Sequence, residues 1–423
     1  MQRIDYPDFK ETCFYEEMEN GLKVYVFHKP DFKSSYAAFG TPYGALDIHQ
    51  KYHGKHYDFH PGIAHFLEHK VFEDEDGDVL SKFAELGASV NAFTSYTETV
   101  YHFSLTGEEN FREALEMLLD FVQKLNISHD SIEAEKPIII QEVSMYEQQA
   151  NTRLLNETYK SLFKNYPLIN DIGGDVKSVN EISKDELETC YNINYHPSNM
   201  IVSIVSFMDP EYIISIIRDN QSKKKFLKDE TATNDNHPEA ECVNREYFEF
   251  NMDVSTTKNV YAIKLNLGKL TKDDSLLYEN AIRSYLQLCF SNLNPEYQKW
   301  IDQKLITDYF SYEVEINEDV AYILFCSEDN TAEELKTFID REMARFEVKE
   351  DTLKQLKHRY IGNFFDEFSD LESFNITFIR DMLDEINPFD AYCRYLELDT
   401  KTIENIVKSL DFSHFSLISL KSA

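Results

Sequence analysis

Apolar residues recur along this chain with two periods, and the switches between them mark out its elements. "GLKVYVFHKP" (21–30) and "SSYAAFGTPYGALD" (34–47) alternate or run continuously apolar, enriched in β-branched and aromatic residues, and predict strands. "GASVNAFTSYTETVYHFSLTG" (87–107) reads as one or two strands around a turn, and "EENFREALEMLLDFVQKL" (108–125) as an amphipathic helix. Residues 131–163 predict a longer helical stretch interrupted by Pro137, followed by a helix in "KDELETCYNINY" and a buried strand in "NMIVSIVSF". Polar residues then dominate 219–246. Beyond them the order resumes: a strand in "NVYAIKLNLG", a helix in "SLLYENAIRSYLQLCF", strands in "DYFSYEVEI" and "VAYILFCS", two helices, and a closing strand in "FSLISLK". This recurrence predicts an α+β unit built twice, over 1–220 and 246–423, with a linker at 221–245.

The length of 423 residues, of which 42% are hydrophobic, fits two such domains. A net charge of −34 argues against nucleic acid and anionic lipid as partners and favours basic ligands weakly. No run reaches membrane-spanning length, and the opening "MQRIDYPDFKETCFYEE" has no apolar signal core, so no membrane insertion is expected. The six cysteines are scattered with no C-x-x-C pair, which suits free thiols in a reducing, cytoplasmic setting.

The candidate chemistry lies in "HFLEH", His65 to His69. A helix starting near Pro61 would put His65 and His69 about 40° apart, with Glu68 about 60° to the other side. Both imidazoles and the carboxylate then converge on one face of an otherwise apolar helix. Burying that trio unpartnered would cost several kcal/mol. A divalent cation compensates, and zinc best matches histidine and carboxylate ligands. A catalytic zinc needs a third protein ligand and an open position. "EAEKPIIIQEVSMYE" offers Glu135 and Glu142, seven residues apart and so on one helical face, and on pattern alone either could serve. The loop histidines His53, His56 and His60 are a weaker candidate for a second metal.

H-x-x-E-H, followed some seventy residues later by a helix with glutamates seven apart, resembles the pitrilysin family of inverted zinc metallopeptidases. That family includes insulysin and mitochondrial processing peptidase. The flanks "PGIAHFLEHKVFEDEDGD", "FAELGASVNAFTSYTETVYHFS", "EKPIIIQEVSMYE" and "YHPSNMIVSIV" agree, with most similarity to the half-length, YmfH-like bacterial members. The resemblance implies two similar domains of the mitochondrial-processing-peptidase/LuxS-like type, each a mainly antiparallel sheet packed with helices. It implies one zinc ion per chain held by His65, His69 and Glu142, with Glu68 as the catalytic base. It further implies Glu135 as a supporting carboxylate and Asn91 and Ala92 on a strand that grips substrate backbone. The implied activity is zinc-dependent endoproteolysis of short or unfolded peptides in an enclosed chamber.

The chain departs from that pattern in its second half. There the family often carries an arginine and a tyrosine that hold substrate, whereas "YQKWIDQKLITDYFSYE" offers Tyr309 and Tyr312 but no arginine. The expected remedy is a heterodimer with a paralogous, YmfF-like subunit that supplies the missing groups, or a homodimer. The rival readings are a non-catalytic peptide-binding or scaffold subunit, and an accessory to modification of another protein.

Overall fold

The computed structural model describes residues 1–74, 77–226 and 229–423; positions 75 and 76 of the quoted motif and 227 and 228 of the expected linker lie outside them. Seven strands of the first sheet are β1 (Gln2–Tyr6), β2 (Glu11–Glu17), β3 (Lys23–His28), β4 (Ser34–Thr41), β5 (Ser89–Thr94), β6 (Thr99–Thr106) and β7 (Ile201–Ser206). Their order is β1-β2-β3-β7-β4-β6-β5, antiparallel except for the β3–β7 pair. The second sheet holds β8 (Tyr247–Met252), β9 (Lys258–Lys264), β10 (Ser311–Ile316), β11 (Ala321–Glu328) and β12 (Phe415–Ser422). Its order is β8-β12-β9-β11-β10, with only β8–β12 parallel. The five-strand pattern β3-β7-β4-β6-β5 is thus repeated strand for strand, with the single parallel pair in the same place. Residue identity between the halves shows the duplication only faintly; the hydrogen-bond topology shows it plainly.

The central strands β4 and β7 are buried along almost their whole length because both faces are covered. On one face of the first sheet, Val24, Val26, Ala37, Phe39, Tyr101, Phe103, Val202 and Ile204 share a core with the helices α1 (Ile63–Val71) and α2 (Phe111–Val122). The stretch 131–163 forms two helices, α3 (His129–Glu147) and α4 (Ala150–Leu162). Helix α5 (Leu371–Leu383) covers the other face of the first sheet: Phe27 meets Phe374 and Phe378 at 4.7 Å, and Asn375 exchanges two hydrogen bonds with Ser203 of β7. Gly40 of β4 makes room for it, since a Cβ there would lie 2.7 Å from Leu383 Cδ1.

The sequence predicts one passage between domains, at 221–245. Instead the first unit comprises Met1–Met145, Asn170–Asn236 and Asp366–Phe389, and the second Tyr146–Ile169, His237–Phe365 and Asp390–Ala423. Helix α4 belongs to the second unit, where its Tyr159 packs on Tyr322, and α5 belongs to the first. An amphipathic pattern states that a helix face is buried but not which sheet buries it. Two further differences are local. The opening residues form the β1–β2 hairpin, and five helices rather than two lie between β11 and β12 among the described residues.

Candidate metal centre

Helix α1 begins at an unusual cap. Gly62, at its N-cap, has φ 91° and ψ −6°, the left-handed region that glycine enters without strain. Its α-carbon lies against the backbone of "DIGGD": a Cβ on Gly62 would sit 2.5 Å from the Gly173 carbonyl oxygen, and one on Gly174 (φ 75°) would sit 2.4 Å from that of Pro61. Pro61 therefore precedes the cap rather than opening the helix, and the segment 171–175 fixes where α1 starts. Gly62→Ala is expected to lower stability by about 1–3 kcal/mol from the forced φ alone, and further from the contact with the Gly173 carbonyl, read from a urea unfolding midpoint.

The nine-residue α1 buries Ile63, Ala64, Phe66, Leu67, Lys70 and Val71 and leaves His65, Glu68 and His69 on the remaining face, as their spacing predicts. Helix α3 supplies the opposing carboxylates. It begins at His129 and runs through Pro137 to Glu147, so the proline neither starts nor ends it. The carbonyl four residues before Pro137 loses its helical partner, but Glu135 and Glu142 stay on one helix.

Those carboxylates divide between two positions. Glu142 Oε2 lies 3.8 Å from His65 Nε2 and 3.5 Å from His69 Nε2, and the candidate ligand atoms of the three residues all lie within 4.8 Å of one another. Donors around a tetrahedral zinc, each about 2.1 Å from the ion, stand about 3.4 Å apart. Both separations from Glu142 come within about half an ångström of that. Glu135 instead receives the far side of His69, with Oε1 3.0 Å from Nδ1.

Burial and neighbouring charges set the protonation of the two imidazoles in opposite directions. Burial, then the charge of His69, pushes His65 down to about 4, so its imidazole is neutral with a lone pair to offer. Its Nδ1 is buried with no hydrogen-bond partner. For His69, burial pulls its pKa down most strongly of any single influence, but the Glu135 hydrogen bond and the charges of Glu68, Glu135 and Glu142 together leave it raised. The His69 hydrogen bond, foremost, holds Glu135 below the usual carboxylate range. Burial raises Glu68 above that range, against the Thr94 hydrogen bond and the charge of His69.

Thr94 of β5 donates its hydroxyl to Glu68 Oε2 at 2.6 Å. Sequence reasoning missed it, although it stands two residues from Ala92 on the same strand face. Asn91 and Ala92 lie on β5, the edge strand of the first sheet, and the Ala92 N–H is taken up by Asn91 Oδ1 at 3.0 Å. Tyr309 lies in the second unit, where its hydroxyl donates to Asn151 (3.1 Å) and Lys258 Nζ sits 3.8 Å from its ring centre. Tyr312 packs among Phe290, Phe310 and Phe325.

The loop histidines do not converge on one another. His53 faces Asp229 and Glu230, His56 faces Asp235, and His60 faces Glu181 and Glu186. Among the described residues the His65–His69–Glu142 group is the one arrangement of histidine, cysteine and carboxylate close enough for a metal.

Comparison with known proteins gives the family of the chain. Residues 53–176, which contain His65, Glu68, His69, Glu135 and Glu142, match the family described as insulinase (peptidase family M16). Residues 181–360 match the peptidase M16 inactive domain, in keeping with the absence of a second H-x-x-E-H. The chain is 34% identical over 412 residues to the uncharacterized zinc protease YmfH of Bacillus subtilis, covering 96% of this chain and 95% of that one. A candidate M16-like peptidase from Alicyclobacillus acidocaldarius superposes with a TM-score of 0.91 at 25% identity, over 99% of this chain and 100% of that one. A protease from Helicobacter pylori shares the fold, with a TM-score of 0.82 at 16% identity over 97% and 99% of the two chains.

Proposed function

The chain belongs to the M16, insulinase-type family of zinc proteases, and from that premise we propose that it is an endopeptidase that cleaves short or unfolded peptides. The observation that carries the reading is the convergence of His65, His69 and Glu142, with the half-buried Glu68 carboxylate on the same helix face. These residues fit zinc: two imidazole nitrogens, one of them on a neutral ring, and one carboxylate, leaving a fourth position open. Zinc, when bound, acidifies water and polarises a carbonyl.

The protein's own groups supply the remaining steps. Glu68 takes the proton of the attacking water at its carboxylate and later yields it to the leaving amine, a role helped by a carboxyl raised toward neutrality. Thr94 holds Glu68 in place. Glu135 fixes the His69 ring by accepting its Nδ1–H, which leaves Nε2 toward the metal position. The free edge of β5 binds substrate by strand addition, a peptide carbonyl replacing Asn91 Oδ1 on the Ala92 N–H. This mode gives affinity with little demand on sequence, and only an extended segment can use it.

The working form is a dimer, with an arginine-bearing paralogue of the YmfF-like kind or with a second copy. Support comes from the arginine-free segment around Tyr309. No helix among the described residues is long and apolar enough to cross a membrane. Cys13, Cys190 and Cys289 are buried thiols, which supports a reducing, cytoplasmic location.

The test is cleavage of an internally quenched, unstructured peptide by the chain alone and with whatever copurifies with it. Turnover is expected to disappear with a zinc chelator and return with added zinc. Intact peptide in every metal-loaded sample would sink the enzyme reading and favour a binding subunit.

A further inference from the structure

We propose that Lys70, the residue after the second histidine, is a positioning residue for the metal centre. Its side chain is wholly buried, with 0% exposure. Its Nζ donates to the Glu73 carboxylate just beyond α1, to the Ser131 carbonyl (3.3 Å) and to Glu135 Oε2 (3.5 Å), the last two in the opening turns of α3. One ammonium thus ties together the helix carrying both histidines and the helix carrying Glu135 and Glu142. An ammonium is costly to bury unless acceptors surround it, and here two carboxylates and a carbonyl do so.

The consequence reaches the metal position through Glu135. Lys70 holds one oxygen of that carboxylate, and the other accepts the Nδ1–H of His69. His69 Nε2 is thereby left aimed into the space it shares with Glu142 Oε2, 3.5 Å away. Without the ammonium, Glu73 and Glu135 would meet the same buried volume with no cation between them. Glu135 would turn away from that repulsion and release the ring it orients. Lys70 touches neither substrate nor the metal position; it acts through Glu135.

This inference rests on the reading of His65, His69 and Glu142 as zinc ligands, and the test separates the two. Zinc affinity is measured by competition with a chromogenic chelator, on folded protein verified by circular dichroism, with no activity assay involved. Lys70→Met keeps the length and burial of the side chain and removes its charge. It is expected to weaken zinc binding by about 10–100-fold and to alter the visible spectrum of the cobalt-substituted protein. In a Glu135→Gln background the same substitution should have little further effect, because the pathway is already cut. Parent-like zinc affinity in folded Lys70→Met, or full additivity with Glu135→Gln, overturns the proposal. Should Lys70→Met not fold, Lys70→Gln decides: it keeps a polar donor in the pocket but removes the charge, so weakened zinc binding supports the role and unchanged binding overturns it. A parent chain that takes up no zinc overturns the ligand reading itself.

Discussion

Glu68→Gln is expected to keep one zinc per chain while lowering peptide turnover by about 10²–10⁴-fold, the range lost with a positioned general base. The amide has the size and shape of the carboxylate and can still accept the Thr94 hydroxyl, so the local packing has no reason to change. What it lacks is a basic oxygen. Glu68 is half-buried, flanked by His69 and Glu142, and its carboxyl is raised by that burial, all of which suits a group that receives and returns a proton rather than one that merely solvates the surface. Metal content by atomic emission and kcat on a quenched peptide, measured on the same preparation, give the answer. Turnover that survives with zinc in place would remove Glu68 from the role.

Glu142→Ala should behave in the opposite way. Two imidazoles remain, His65 and His69, but the carboxylate that closes on both Nε2 atoms is gone. Zinc content is expected to fall from one per chain toward zero after dialysis, and turnover with it. A second signature needs no substrate. Zinc at 100 times its Kd should stabilise the parent by about 2.7 kcal/mol, and that increment should vanish in the variant. Retained zinc with parental affinity would show that the third ligand is another group. The contrast matters more than either result alone, since one substitution separates chemistry from metal and the other removes both.

Much of this site is legible without coordinates because its parts are local. His65, Glu68 and His69 lie within five residues, so the 100° step of a helix is enough to place them on one face. Glu135 and Glu142 share a helix by the same arithmetic, yet their spacing left the ligand open between them. The structure divides the roles by a rotation: Glu142 reaches both Nε2 atoms, and Glu135 reaches the far side of His69. Thr94, Lys70 and the Gly62–Gly173 contact are invisible to periodicity because each depends on a neighbour distant in the chain. The glycine pair in "DIGGD" was the one available signal, and its meaning depends on what lies opposite.

By itself the sequence determined the alternation that makes β3, β4 and β7 buried strands, the convergence of the H-x-x-E-H face, and the recurrence of one α+β unit. Local periodicity and side-chain chemistry suffice for these. Only the tertiary structure decided which carboxylate meets the imidazoles, that α4 and α5 each pack on the sheet of the other half of the chain, and which strand edge is left free. These depend on distances between segments far apart in sequence, and burial says that a face must be covered without saying by what.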